Sequence, residues 1–403
     1  MPCAPSKPFH VLAKPSGPLC NLKCEYCFYL KKHALFPGRV TFRMSDEVLE
    51  AFVRSYIADQ DAPEINFAWQ GGEPTLLGLD FFRRALACQR RHAGGKIIHN
   101  AFQTNGTLLT AEWAKFLREE KFLVGISIDG PRELHDQFRQ DKGGHGTFTR
   151  VMRGLKFLRE AGVEYNLLTV VNAANAERPL ELYRWLKTLG TAHLQFIPLV
   201  ERAVAPGDDV ASVPACAEAT AASVTGAAYG KFLCAIFDEW ARRDIGKIFI
   251  QDIESALSQR LGYGASVCVH AERCGRAVAI EHNGDVFSCD HYVYASHRLG
   301  NVRDTSLAQL VNSPAQQLFG QQKLTALPRQ CRECPVLGYC NGGCPKHRFA
   351  RTADGEPGLN FLCAGYRRFY AHIAPTLERL AQEHLRREAL ASSSMSSGAI
   401  LGK

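Results

Sequence analysis

Six short apolar runs recur along the first half of the chain, at Phe9–Ala13, Glu64–Gln70, Ile97–Thr104, Phe122–Asp129, Glu164–Val171 and His193–Pro198, and each reads as a strand. Between them lie Ser45–Ala58, Leu79–His92, Ala111–Glu120, Phe148–Ala161 and Ala176–Leu189, with apolar residues at helical spacing. Ser45, Thr110, Thr147 and Asn175 stand where helix N-caps are expected. A strand followed by a helix and another strand demands parallel pairing through a crossover. Six such units fall short of the eight of a closed barrel. The expected fold is therefore α/β, a partial (β/α)6 barrel open on one side.

The loop leaving the first strand carries Cys20, Cys24 and Cys27, spaced C-x3-C-x2-C. Thiolates are the usual ligands of iron–sulfur clusters, and a [4Fe–4S] cluster normally takes four. Three local thiolates leave one iron free to bind a small molecule, which points to chemistry rather than electron storage. The position agrees, because α/β barrels keep their active sites at the C-terminal ends of strands. The alternatives are three unrelated cysteines or a zinc site, although zinc prefers four tetrahedral ligands in paired C-x2-4-C knuckles.

Composition narrows the class. A hydrophobic fraction of 46% over 403 residues supports a substantial core. The net charge of +8 is spread without a long basic run, so a solvated surface is expected rather than nucleic-acid binding. The sequence shows no signal-peptide pattern and no apolar run long enough to span a bilayer, so the expected location is cytoplasmic. Fifteen cysteines in such a chain suggest metal or cluster ligation rather than disulfides. Cys3, Cys88, Cys216 and Cys234 fall outside any motif, and Cys88 and Cys234 read as small buried apolar residues.

The strand ends hold the candidate binding groups. Gly71-Gly72-Glu73-Pro74 follows the second strand, and paired glycines let a ligand approach the backbone, though the same four residues also make a plain turn. Asn105 closes the third strand. Ser127 ends the fourth, as a ligand contact or as a capping hydroxyl. Arg139 follows, suited either to a ligand carboxylate or to a surface ion pair with Asp136 or Asp141. Leu199 ends the sixth strand, as an apolar wall for a ligand or simply as core.

The second half changes character. Residues 201–228 read as a loop or linker closing a barrel unit of 1–228, and 229–265 as connecting helices. A cysteine-rich domain spans 266–370, and 371–403 hold a helix to about Arg387 and a disordered tail from Ala391. Apolar runs around Asn283-Gly284 signal a hairpin that would bring Cys274 and Cys289 together. Cys268, Cys274, Cys289, Cys331, Cys334, Cys340, Cys344 and Cys363 suffice for two fully ligated clusters, or for two zinc sites.

The Cys20–Tyr29 segment, with Tyr26 before its third cysteine, resembles the radical SAM signature, and the later cysteines resemble a SPASM domain. Together with Trp69–Gly78, Ser127–Gly130, His135–Arg139 and Phe196–Pro198, they resemble anaerobic sulfatase-maturating enzymes over roughly residues 9 to 370. The resemblance implies three [4Fe–4S] clusters and S-adenosylmethionine (SAM). It assigns Cys20, Cys24 and Cys27 to the SAM-binding cluster. Cys268, Cys274, Cys289 and Cys344 fall to one auxiliary cluster, and Cys331, Cys334, Cys340 and Cys363 to the other. Tyr26, Gly71, Gly72, Glu73, Ser127, Arg139 and Leu199 become SAM contacts. The implied reaction oxidises a Cys or Ser residue of a sulfatase polypeptide, in a Cys/Ser-x-Pro/Ala-x-Arg type segment, to Cα-formylglycine. Asp290 would be the base, with its pKa raised by burial near a cluster; otherwise it is a hairpin-exit residue capping a backbone N–H. The expected partners are that polypeptide and a one-electron reductant such as flavodoxin or ferredoxin, and the expected state is a monomer. A different radical SAM/SPASM peptide-modifying enzyme, forming thioether or carbon–carbon crosslinks, stays open. So does a non-enzymatic electron carrier or zinc scaffold.

Overall fold

The structure is a computed structural model that describes residues 8–38, 41–203 and 218–397. All six expected strands form: β1 (His10–Lys14), β2 (Glu64–Trp69), β3 (Ile97–Thr104), β4 (Leu123–Ser127), β5 (Tyr165–Val171) and β6 (His193–Pro198). They pair in parallel, in chain order. Helices Asp46–Ala58, Gly78–His92, Ala111–Glu119, Phe148–Ala161 and Pro179–Lys187 fill the crossovers. Ser45 Oγ accepts from Val48 N and Thr110 Oγ1 from Trp113 N, as caps should.

The sheet does not stop at six strands. β7 (Phe249–Ile250) adds in parallel to β6. On the other edge β8 (Ala277–Glu281) pairs in parallel with β1 along its whole length. β9 (Asp285–Phe287) and β10 (Arg298–Asn301) then follow antiparallel, completing ten strands. The Asn283-Gly284 turn forms as expected, with Gly284 at φ +87° and Asn283 Oδ1 accepting from Asp285 N at 3.1 Å. The hairpin expected inside a separate cysteine-rich domain therefore continues the barrel sheet.

Other local readings change. Thr147 caps nothing; its Oγ1 donates to Arg139 O at 2.8 Å. Asn175 turns inward, and its Nδ2 donates to Val170 O and Asp129 O. Pro179 separates a short turn at Asn175–Glu177 from the helix proper. Helix Arg132–Phe138 was not anticipated, because seven residues carry too little periodicity to register. Part of the expected 201–228 loop, residues 204–217, lies outside the described residues, and its flanks meet at the Arg202–Ala219 bridge. The last helix runs Cys363–Ser397, through the tail expected to be disordered from Ala391, because Ala and Ser there do not break a helix. No described helix is long and apolar enough to cross a membrane.

An aromatic layer fixes the sheet to its helices. Trp69 is 1% exposed, and its Nε1 donates to Asn100 Oδ1 at 2.8 Å among Phe52, Phe67, Phe81 and Phe82. The C-terminal helix reaches the barrel where Gly365 meets Gly226 and Gly230 of helix Gly226–Arg243. A Cβ on Gly365 would lie 2.3 Å from Gly226 O, a backbone atom that cannot swing aside. Gly365→Ala should lower stability by about 1–3 kcal/mol in chemical denaturation. Gly338→Ala, which meets no atom within 4 Å, should stay within about 0.5 kcal/mol.

Candidate active site

The cysteine loop is seated by backbone hydrogen bonds. Gly72 N donates to Gly17 O and Glu73 N to Leu19 O, both at 2.8 Å. Gly71 sits at φ +136°, and a Cβ on Gly72 would come within 2.0 Å of Leu19 O. The glycine pair is therefore required by the loop itself, and two of the N–H groups offered to a ligand are already engaged. The buried Glu73 carboxylate ties the next layer: Oε1 accepts from Thr75 and Thr104, and Oε2 from Asn105 N at 2.8 Å. Burial raises its pKa, against the pull of those hydrogen bonds. Asn105 Nδ2 then donates to Asn21 Oδ1 at 2.9 Å and lies 3.8 Å from Cys20 Sγ.

Arg139 makes neither surface pair. Its Nε donates to Asp129 Oδ2 at 2.9 Å in a buried ion pair, while Asp141 is held by Arg150. Tyr26 OH donates to the same Asp129 oxygen, and Arg139 lies 5.6 Å from the Tyr26 ring. Burial works against the Arg139 charge, but Asp129 and Tyr26 more than offset it, so the guanidinium stays protonated. Asp129 also accepts from Val170 N, which makes it the hub that positions both Tyr26 and Arg139. It was missed as a site residue, although its place just past the end of β4 is the signal that would have found it. Ser127 Oγ accepts from Gln103 Nε2 at 3.1 Å, and Leu199 is buried just beyond β6.

The eleven motif cysteines gather into three groups. Burial pushes Cys20 up to about 12 and Cys24 to about 11, and the charges of neighbouring thiols in this loop add to the rise. Cys27 is raised as well, again mainly by burial. Burial also raises Cys289, with Cys344 and Cys268 adding to it, and Cys344 in turn feels Cys274 and Cys268. The same holds for Cys331, where Cys363, Cys340 and Cys334 add to burial. These last four thiols line one cavity of about 430 Å³. Among the described cysteines no disulfide forms. Cys234 is buried as expected. Cys88 is more than apolar packing: its Sγ lies 3.1 Å from a Glu50 oxygen, beside His92. Cys3 and Cys216 lie outside the described residues.

Asp290 follows β9 and is ion-paired with Lys14, the last residue of β1. Lys14 is 2% exposed and lies 4.2 Å from the Tyr29 ring centre, and Tyr29 OH donates to Glu281. Burial pushes the Asp290 pKa up, but Lys14, His291 and Lys346 together pull it below the ordinary value. The expected upward shift is thus overturned, and the carboxylate is held ionised. A lysine closing an apolar strand was the overlooked signal.

His135 supports this region from behind. Asp129 N donates to its Nδ1 at 3.3 Å, so Nε2 carries the proton toward Thr147 Oγ1 at 3.0 Å. Burial lowers its pKa to about 4. Below pH 6.5 the unfolded chain takes up a proton that the folded chain refuses, so stability falls as pH drops from about 6.5 toward 4, by up to about 3 kcal/mol. His135→Gln should flatten that part of the stability–pH curve, measured by urea unfolding at each pH.

The radical SAM superfamily profile matches residues 15–186, and an iron–sulfur cluster-binding profile, SPASM, matches residues 268–335. A serine-type anaerobic sulfatase-maturating enzyme of Bacteroides thetaiotaomicron is 46% identical over 96% of this chain and 94% of its own length. A cysteine-type anaerobic sulfatase-maturating enzyme of Clostridium perfringens is 35% identical over 93% of this chain and 98% of its own. A solved structure of native anSMEcpe with bound AdoMet and Cp18Cys peptide superposes with a TM-score of 0.82 at 34% identity, covering 94% of this chain and 99% of that one. With this agreement in sequence and fold, the chain belongs to the anaerobic sulfatase-maturating enzymes of the radical SAM superfamily.

Proposed function

We propose that this chain binds SAM and three [4Fe–4S] clusters and oxidises a cysteine or serine residue of a sulfatase polypeptide to Cα-formylglycine. The observation that carries this is the sorting of eleven free thiols, most of them partly or fully buried, into one set of three and two sets of four. Buried thiols that raise one another's pKa become thiolates only when a metal supplies compensating charge, so these donor sets fit clusters. Cys20, Cys24 and Cys27 would hold the SAM-binding cluster. Cys268, Cys274, Cys289 and Cys344 would hold one auxiliary cluster, and Cys331, Cys334, Cys340 and Cys363 the other. When bound, these groups supply the 5′-deoxyadenosyl radical that removes a substrate Cβ hydrogen, and the acceptor for the second electron.

The chain's own residues orient and deprotonate. Arg139, its Nε held by Asp129, would offer its remaining N–H groups to the SAM carboxylate. Tyr26, Gly71, Gly72, Glu73, Ser127 and Leu199 shape the rest of the SAM seat. Asp290 accepts the proton of the substrate thiol or hydroxyl at a carboxylate oxygen, and Lys14 keeps that oxygen ionised and in place. A crosslinking enzyme would need no such base, and the buried Lys14–Asp290 pair favours the maturase. The names of both the serine-type and the cysteine-type relatives, and the Cys peptide on anSMEcpe, support a polypeptide substrate.

The test is a mass spectrum of oxygen-free, reconstituted protein with SAM, a strong reductant and a Cys-x-Pro-x-Arg peptide or its Ser counterpart. Aldehyde with 5′-deoxyadenosine is the expected result and shows which residue is accepted. Deoxyadenosine without aldehyde would sink the sulfatase assignment. Asp290→Asn should keep SAM cleavage and lose aldehyde by at least about 100-fold; full product from that variant would remove Asp290 as the base.

A further inference from the structure

The cysteine loop has two sides. Toward β3 it is closed by Asn21 and Asn105. On the other side, where Lys23 N donates to Gln140 O and Glu25 N to Phe138 O, it opens into a cavity of about 430 Å³. Cys24 and Cys27 form part of its wall, with Lys23, Lys31 and Lys142 around the rim. All three lysines are exposed, and among the described residues none has a side-chain ion pair or hydrogen bond. Glu25 is the one rim carboxylate without an ion pair there, since Asp141 is taken by Arg150 at 2.8 Å. Asp290 and Lys14 do not line this cavity, so it is separate from the proposed proton-transfer site.

An exposed cationic rim around part-buried cysteines that would hold a redox centre is the arrangement that steers a charged electron carrier. We infer that this face is the docking surface for the electron donor, an acidic carrier protein bearing a one-electron centre near its own surface. The inference rests on Cys20, Cys24 and Cys27 holding a cluster. On docking, the carrier is oxidised by one electron and the group held by these cysteines is reduced by one; no proton moves. Electron-transfer encounters use small interfaces, so a few rim charges dominate the association rate. The cavity at Cys331, Cys334, Cys340 and Cys363 is a poorer fit. Its wall balances Arg329 and Arg367 against Glu333 and Asp354, and Arg329 is paired with Asp354 at 3.1 Å.

The test uses cluster-loaded enzyme and a reduced acidic ferredoxin as probe. Lys23→Glu/Lys31→Glu/Lys142→Glu should weaken ferredoxin binding in calorimetry, and slow ferredoxin-driven reduction, by about 10–100-fold at low salt. Added salt, which should weaken both in wild type, should instead partly restore both in the reversed variant. SAM cleavage driven by dithionite, which needs no docking surface, should be unchanged. Should the triple reversal impair folding, the neutral Lys→Gln triple variant should show a smaller loss in the same direction. Equal binding and reduction in wild type and variants would overturn the inference. So would no binding by wild type, or an equal loss on reversing Lys115, Lys156 and Lys231 elsewhere on the surface. If wild type with dithionite fails to cleave SAM, the functional proposal fails, while the binding comparison still decides docking.

Discussion

The pairing of β1 with β8 is the contact on which the site depends. β1 is only five residues long, and all five are in register with β8, from His10 opposite Ala277 to Lys14 opposite Glu281. Its other edge meets β2 at Leu12 and Ala13 alone. The strand that delivers the cysteine loop is thus held chiefly by a segment from far along the chain. That register sets Lys14 opposite Glu281, and its side chain reaches Asp290 beyond β9, so the ion pair ties the proposed base to the strand that delivers the cysteine loop. A slip of one residue would turn Lys14 to the other face of the sheet and break the ion pair.

The electrostatics follow from burial set against charge. Burial pushes the thiols of the site and Tyr26 and Tyr29 toward neutrality, while two buried groups stay charged beside a specific partner: Asp129 for Arg139, Lys14 for Asp290. At the thiols burial outweighs the nearby cations and keeps them protonated, which would couple metal uptake to proton release. Lys323 and Arg348 stand among the later cysteines, and burial lowers the pKa of both while the thiols oppose that shift. Lys323 Nζ donates to the carbonyls of Cys268 and Val269, and Arg348 to those of Gly342 and Asn341. The cations therefore hold the loops in shape before any thiolate forms.

Where information is local, the sequence was readable. The strands β1 to β6, the caps at Ser45 and Thr110, the Asn283-Gly284 turn and the cysteine spacings all follow from neighbouring residues. Long-range partnerships were not. Nothing near Ala277 announces that it will lie beside His10, and nothing near Asp290 announces Lys14, so the direction of its pKa shift came out reversed. Thr147 and Asn175 look like caps because their side chains bond backbone, and they do, but to Arg139 O and to Val170 O. Arg139 looked equally fit for a surface pair because Asp136 and Asp141 are close in sequence. The buried Asp129 wins, since burying a guanidinium requires a buried counter-charge.

The order of the later cysteines adds a constraint on how this half of the protein behaves. Cys344 lies among Cys268, Cys274 and Cys289, yet in sequence it falls between Cys340 and Cys363 of the other set. Asn360 Nδ2 donates to the carbonyls of both Gly342 and Cys344, pinning the crossover point. Each set thus spans a loop that contains cysteines of the other. Releasing one set frees the backbone that the second needs, so the two sites are coupled through loop entropy without any direct contact. Because β8 and β9 carry the chain between Cys274 and Cys289, that coupling extends into the barrel sheet. Disorder at the auxiliary sites would therefore loosen β8, and with it the register that holds Lys14 against Asp290.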